Sequence, residues 1–149
     1  MSYALFIGGP ITNLNKQSYN IDIEKLILHF SNIAKNSNYQ IFSAHIEEEF
    51  GRLPPEDDSI IVERDLRWID QANTCLFLFP ANNLDEPIRT DGTCIELGYA
   101  LAQKKKIFVA IAKTTIKHCS PMLRGVLRHN MVRLLPLDQV WTAWTILTA

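Results

Sequence analysis

Glu96 is the single acid of an apolar helical pattern that follows a turn, and this setting makes it a candidate catalytic group. The stretch TDGTCIELGYALA, from Thr90 to Ala102, opens with the turn formers Asp91 and Gly92 and continues with apolar residues at helical spacing. It predicts a helix with Glu96 in the first turn. The same spacing permits a second interpretation, because a threonine three residues before a glutamate can form a capping box that only satisfies backbone N–H groups.

A second acid, Asp65, lies in a segment of helical periodicity from Ser59 to Gln71. An isoleucine stands four residues away on either side, so the carboxylate is expected on or near the inward stripe of the helix. A buried acid is costly unless it is used or paired. Asp65 is therefore either a site residue or the ion-pair partner of Arg64 or Arg67.

The elements around these acids alternate between strands and helices. The predicted strands are Tyr3–Ile7, Gln40–Ala44, Thr74–Phe79, Lys106–Ala112 and Val132–Leu135. The predicted helices are Ile21–Ala34, Ser59–Gln71, the helix of Glu96, one starting at Ser120-Pro121 and Asp138–Leu147. This order predicts a single α/β domain over 1–149, doubly wound (Rossmann/flavodoxin-like), with a parallel five-stranded sheet and helices on both faces. Ligands of such sheets bind beyond the carboxyl ends of the strands, toward which Glu96 would point.

Two further segments are candidates for ligand contact. Gly8-Gly9-Pro10 follows the first strand and would let a ligand approach the backbone, although a simple tight turn explains it equally well. It lacks the later glycine of the dinucleotide-binding fingerprint. The polar segment from His45 to Asp58, with acids at 47–49, is a candidate lid over the site or only a solvated face.

Composition excludes several functions. With 15 basic and 16 acidic residues, the net charge of −1 gives no general attraction to nucleic acid polymers or anionic membranes. No apolar run approaches the roughly 20 residues of a membrane span, and no signal peptide is visible, so a cytoplasmic location is expected. The three cysteines are expected to be reduced, and the four histidines have no metal-site spacing. No metal or cofactor is predicted.

Taken in order, these motifs resemble the nucleoside 2-deoxyribosyltransferase family over roughly Tyr3 to Val126. The most specific part is Gly92-Thr93 followed by Glu96-Leu97-Gly98-Tyr99-Ala100. The resemblance implies that Glu96 attacks the anomeric carbon of a nucleoside, releases the base and forms a glycosyl ester, from which a second base or water takes the sugar. The helix N-terminus is expected to keep Glu96 ionised. Asp65 would contact the sugar hydroxyls or assist proton transfer to the leaving base.

The resemblance also implies a set of substrate-binding residues and an oligomer. The implied binding residues are Gly8, Gly9, Pro10, Thr12, His45, Thr90, Asp91, Gly92, Ser120 and Met122. His45 and the acids at 47–49 would face the base. Ser120 would reach the site of a neighbouring subunit, and a C-terminal helix with Trp141 and Trp144 would offer surface for association. A homodimer or higher homo-oligomer with shared sites is expected.

Two departures from the family pattern leave the reaction open. Phe6 stands where the family commonly has a tyrosine that orients the nucleophile. Thr90 stands where transferases on free nucleosides commonly have an aspartate, with Asp91 one residue late. Thr90 and Ser120 favour a phosphorylated substrate, whereas Asp91 favours a free nucleoside.

Three hypotheses of function follow from these residues. The favoured one is 2-deoxyribosyl transfer between bases, and the second is hydrolysis of nucleoside 5′-monophosphates to base and sugar phosphate. The third, suggested by Phe6, is a non-catalytic nucleotide-binding module.

Overall fold

A parallel five-stranded sheet forms the centre of the structure, a computed structural model that describes residues 2–11, 19–54, 57–88 and 90–149. The strands in this part of the chain are β1 (Tyr3–Gly8), β2 (Tyr39–Phe42), β3 (Thr74–Phe79), β4 (Lys106–Ile111) and β5 (Val132–Leu135). Their order across the sheet is β2-β1-β3-β4-β5. The predicted doubly wound α/β fold is confirmed.

The middle strands are buried on both faces, as their continuous apolar runs require. Every residue of β3 is buried, and β3 pairs along its whole length with β4, from Thr74 opposite Lys106 to Phe79 opposite Ile111. Both apolar faces of such a sheet must be covered, and helices between the strands cover them. The α-helices in the described part of the chain are α1 (Ile23–Lys35), α2 (Ala44–Glu47), α3 (Asp58–Gln71), α4 (Asp91–Ala102), α5 (Lys113–Ile116), α6 (Pro121–Leu127) and α7 (Trp144–Leu147).

Each face of the sheet has its own core. Helix α1 buries five residues on one face, and its start is capped by Asp22, whose carboxylate accepts a hydrogen bond from Lys25 N at 3.0 Å. Helices α3, α4 and α6 pack on the opposite face. The two acids of interest lie on α3 and α4, so this second face carries the site.

The predicted C-terminal helix over 138–147 is wrong. A 3-10 helix, Leu137–Thr142, occupies most of that range, and only the single turn α7 follows it. Leu137, Val140 and Ala143 are buried and recur every three residues, which is the period of a 3-10 helix. The tighter helix therefore places all three against the sheet.

Trp141 and Trp144 pack within their own chain. The Trp144 ring lies 5.8 Å from the ring of Phe30 and 5.6 Å from that of Tyr39, measured between centroids. The carbonyl oxygen of Trp141 lies 3.1 Å from Nε2 of His29. Both tryptophans are half-buried by these contacts. The predicted helix that would carry an association surface is absent from this range, but association through these half-exposed residues stays a prediction.

The segment from His45 to Asp58, predicted as a polar loop, is largely folded where the structure describes it. Helix α2 is followed by a 3-10 turn, Glu49–Gly51. Phe50 is buried at a φ of 58°, and Gly51 follows at a φ of 83°. Glu49 also has a positive φ, 48°, so three consecutive left-handed residues turn the chain sharply where Phe50 enters the core.

Other sequence expectations concern the environment of the chain. Cys75, Cys94 and Cys119 are free thiols, as predicted. Across the described ranges, none of the helices combines the length and apolar character needed to cross a bilayer.

Candidate functional site

A cavity of about 300 Å³ opens at the carboxyl end of β1. The chain leaves β1 toward β2 on one side and later returns to β3 on the other, so this is the point where the strand order reverses. Such switch points are the usual ligand sites of open α/β sheets. The cavity is lined by Gly9, Pro10, Ile11, Glu48, Ile61, Asp65, Asp91, Gly92, Thr93 and Glu96.

Glu96 lies in the second turn of α4, not in the first as predicted. The helix begins at Asp91 with Thr90 at the N-cap position, so Glu96 is its sixth residue. A capping box would need Thr93 at the N-cap, but Thr93 is buried within the helix. The capping interpretation is therefore excluded, and the Glu96 side chain lines the cavity.

The surroundings of Glu96 favour its neutral form. Burial, together with the charges of Asp65 and Glu48, raises the pKa of its carboxyl to about 8, although Arg64 acts to lower it. The expectation that the helix N-terminus keeps Glu96 ionised is wrong, because the helix dipole acts mainly within the first turn and desolvation is the larger effect here. The ligand-free surroundings of Glu96 thus oppose its ionisation.

Asp65 is buried on α3 and paired with Arg64. The Arg64 Nε donates to Asp65 Oδ1 at 2.8 Å, and Arg64 Nη2 donates to Glu48 Oε2 at 2.9 Å. The guanidinium also lies over the Trp68 ring, 4.8 Å from its centroid. Burial raises the pKa of Asp65 above its ordinary value, although Arg64 acts to lower it. Asp65 is thus both an ion-pair partner and a residue of the cavity wall.

The sequence named Arg64 only as one of two possible ion-pair partners of Asp65, and Glu48 only among the three acids expected to face the base. Glu48 was one of three consecutive acids, and only the turn of α2 into the 3-10 segment decides which of them faces the cavity. Arg64 did carry a signal, because Trp68 follows it at the i, i+4 spacing that lets a guanidinium stack on an aromatic ring.

The turn after β1 contributes to the site in two ways. Gly9 and Pro10 line the cavity. Gly8 does not, and a Cβ on it would lie 3.0 Å from the ring of Phe77, so this glycine is required by packing inside the sheet. His45 lies behind the turn, fully buried, with Nε2 at 3.1 Å from the carbonyl oxygen of Pro10. Burial lowers the pKa of His45 to about 4, so the neutral ring donates to this carbonyl and holds the turn in place.

The start of α4 brings Asp91 and Gly92 into the cavity wall. A Cβ on Gly92 would meet nothing within 4 Å, so open space for a ligand lies beside it. Thr90 is half-buried at the N-cap position, and its side chain caps no backbone N–H in the described part of the chain. Thr12 lies outside the described residues.

Ser120, Met122 and Phe6 lie away from the cavity within the described residues of this one chain. Ser120 is the N-cap of α6, where its Oγ accepts a hydrogen bond from Leu123 N at 3.2 Å, and Met122 is 81% exposed. Phe6 is buried, with its ring 5.8 Å from that of Phe77. Over 2–11, 19–54, 57–88 and 90–149, no three His, Cys, Asp or Glu side chains are grouped to hold a metal ion.

The fold and the cavity define an α/β protein whose switch-point site carries facing carboxylates from two helices. The model of the family described as nucleoside 2-deoxyribosyltransferase matches residues 5–126. This match spans most of the chain, and the chain belongs to the nucleoside 2-deoxyribosyltransferase family. The predicted resemblance is confirmed, and it places the chain in a family of enzymes that act on glycosidic bonds.

Solved structures resemble the chain at the level of the fold. A CMP N-glycosidase from Clostridium botulinum, BcmB, superposes with a TM-score of 0.61 at 14% identity, with 96% of this chain and 98% of that chain covered. The solution structure of BlsM gives a TM-score of 0.64 at 19% identity, covering 95% and 85%. A conserved protein from Enterococcus faecalis V583 gives 0.55 at 10% identity, covering 95% and 99%. No curated protein matches the chain.

Proposed function

We propose that this protein cleaves the N-glycosidic bond of a 2′-deoxynucleoside and transfers the 2-deoxyribosyl group to another nucleobase. The observation that carries the proposal is the meeting of two carboxylates, Glu96 from α4 and Asp65 from α3, at one cavity of a chain that belongs to this family. A ligand has room in this cavity, because Gly9 has no side chain at the cavity wall and the space beside Gly92 is open.

In this mechanism Glu96 is the nucleophile. Its ionised carboxylate forms a bond to the anomeric carbon as the bond to the base nitrogen breaks, which leaves a glycosyl ester. The departing base takes a proton from Asp65, whose raised pKa suits it to this role. An incoming base then attacks the same carbon and releases the Glu96 carboxylate, while Asp65 recovers the proton. The active form thus has the negative charge on Glu96 and the proton on Asp65.

The choice between a free nucleoside and a 5′-monophosphate depends on the start of α4. Asp91 lines the cavity, and a carboxylate there repels a phosphate but can accept a hydrogen bond from a 5′-hydroxyl. This favours the transferase. Thr90 supports the alternative, an N-glycosidase acting on nucleoside 5′-monophosphates, because it stands at the N-cap of α4, where a hydroxyl can donate to a phosphate.

Product analysis tests the proposed reaction. The purified protein is incubated with a panel of 2′-deoxynucleosides and a second base, and separately with 5′-monophosphates, and the products are separated by chromatography. Base exchange on free nucleosides is expected. Release of base with sugar 5-phosphate would instead establish the alternative, and binding without turnover would make the protein a non-catalytic module and contradict both.

We also propose that the protein works as a homo-oligomer, at least a dimer, with shared sites. Ser120 and Met122 are exposed at the start of α6 and do not line the cavity of their own chain, so they are accessible to a second copy. The 5′ group of the substrate would then meet Thr90 from one chain and Ser120 from the other.

Ser120→Ala tests this arrangement. The substitution removes the α6 cap and costs about 1 kcal/mol of stability, an effect common to all substrates. The ratio of kcat/KM for a monophosphate to kcat/KM for the matching nucleoside is therefore the informative quantity, and it should fall. Ser120→Asp is the matched variant, since it keeps a capping oxygen but adds a charge that repels phosphate, and it should lower the ratio further. Equal losses on both substrates, or sedimentation of an active monomer, would contradict the shared site.

A further inference from the structure

Arg64 is a buried cation among the carboxylates of the cavity. It is 7% exposed, and its guanidinium bonds Asp65 through Nε and Glu48 through Nη2. These two acids come from different elements, α3 and the end of α2, and both line the cavity that holds Glu96. Arg64 itself does not line the cavity. It therefore acts on a ligand only through the acids that it holds.

The third nitrogen of the Arg64 guanidinium, Nη1, shows that the other contacts hold the group firmly in place. Arg64 Nη1 is buried and has no hydrogen-bond partner among the described residues. A buried donor without a partner is unfavourable by itself. The contacts with Trp68 and the two carboxylates must therefore outweigh this loss in fixing the guanidinium where it is.

We propose that Arg64 is a positioning residue, which holds the Asp65 and Glu48 carboxylates at the cavity wall, and that the balance between its charge and theirs sets how readily Glu96 ionises. The inference rests on the proposed function only in treating Glu96 as the reacting group. The positive charge of Arg64 would favour the ionised, nucleophilic form of Glu96, and the negative charge of Glu48 would disfavour it.

The charges around Glu96 give this balance a definite sign. Asp65 and Arg64 face it from α3, Glu48 from α2, and the thiol of Cys75 from β3. Cys75 remains neutral, because burial raises its pKa to about 12. Asp91 lies at the same cavity from the start of α4. Removal of the Arg64 cation must therefore raise the pKa of Glu96, and neutralisation of Glu48 must lower it.

Direct titration of Glu96 tests this opposition. Glutamate labelled with ¹³C at the δ-carbon is incorporated, the Glu96 signal is assigned by its loss in Glu96→Gln, and its chemical shift is followed against pH. In Arg64→Met the midpoint should rise by about half a pH unit or more, and in Glu48→Gln it should fall by a similar amount. Arg67→Met is the matched control on an exposed position of the same helix, and its midpoint should stay at the wild-type value.

Arg64→Lys separates charge from orientation. Lysine keeps the cation but lacks the planar fork that bonds two carboxylates at once. In Arg64→Lys the titration midpoint of Glu96 should stay near that of the wild type. The kcat should fall at least about tenfold, because Asp65 is no longer held in its position. If Arg64 had only a structural role, Arg64→Lys would instead lower the melting temperature and shift the titration midpoint of Glu96 along with kcat.

The outcomes are decisive in each case. Midpoints that move in the same direction in Arg64→Met and Glu48→Gln, or that do not move, overturn the inference. Should Arg64→Met fail to fold, Glu48→Gln decides alone, because it leaves the bond between Arg64 and Asp65 in place. The titration needs no substrate, so a protein without turnover refutes the proposed reaction and not this inference, whereas unchanged midpoints in an active enzyme refute only the inference.

Discussion

Glu96→Gln should abolish turnover, with a loss of at least about a thousandfold in kcat, while the protein remains folded. Glutamine cannot form the glycosyl ester, so no other step can compensate for its loss. The activity is measured with the substrate that product analysis identifies. Glu63→Gln is the matched control, because Glu63 is exposed on α3 and lies away from the cavity, and it should leave the rate unchanged.

The same variant should also be more stable than the wild type above neutral pH. The carboxyl of Glu96 has a folded pKa of about 8 against an ordinary value of 4.5, so its ionisation opposes folding increasingly as the pH rises between these values. Glutamine has no such charge. The melting temperature of Glu96→Gln should therefore exceed that of the wild type by at least about 2 °C at pH 8, with a smaller difference at pH 5.

Those two measurements distinguish a nucleophile from a structural residue. A loss of both activity and stability would show that Glu96 supports the start of α4 after all. Near-normal activity would show that another group attacks the sugar. Lost turnover with retained or increased stability would show that Glu96 is kept for catalysis although its burial destabilises the fold.

The sequence predicted the sheet and the family better than the local electrostatics. The bounds of β3 are those predicted, Thr74–Phe79, because a fully apolar run between turn residues has few alternative structures. Glu96 and Asp65 were both predicted to serve the site, and the structure brings both to one cavity. Helical periodicity and strand order placed the two acids near the site, whereas their catalytic roles were implied by the family resemblance.

What the sequence could not reveal depends on contacts between elements. The charge state of Glu96 follows from desolvation and from acids on α2 and α3, whose distances no spacing rule contains. Which of the acids at 47–49 lines the cavity depends on the turn from α2 into the 3-10 segment, where Phe50 is buried in a left-handed conformation. At the C-terminus, spacings of three and of four residues both occur among the buried positions, so a 3-10 helix and an α-helix could not be distinguished.

The partnership with Arg64 makes Asp65 the second decisive position. Asp65→Asn should lower kcat by about a hundredfold or more, because the amide cannot give the departing base a proton. The amide oxygen can still accept the hydrogen bond from Arg64 Nε, so the orientation of the side chain is kept. The loss should be greatest for substrates whose bases are poor leaving groups and smallest for bases that depart without protonation.

The dependence on the leaving base separates the catalytic role of Asp65 from its ion pair. A series of nucleosides whose bases differ in leaving ability is assayed with the wild type, Asp65→Asn and the control Asp58→Asn, an exposed acid of the same helix. Proton donation predicts that the deficit of Asp65→Asn shrinks steadily toward the best leaving groups, while Asp58→Asn follows the wild type throughout. A uniform deficit accompanied by a lower melting temperature would mean that Asp65 matters only as the partner of Arg64, since a disturbed ion pair acts equally on every substrate.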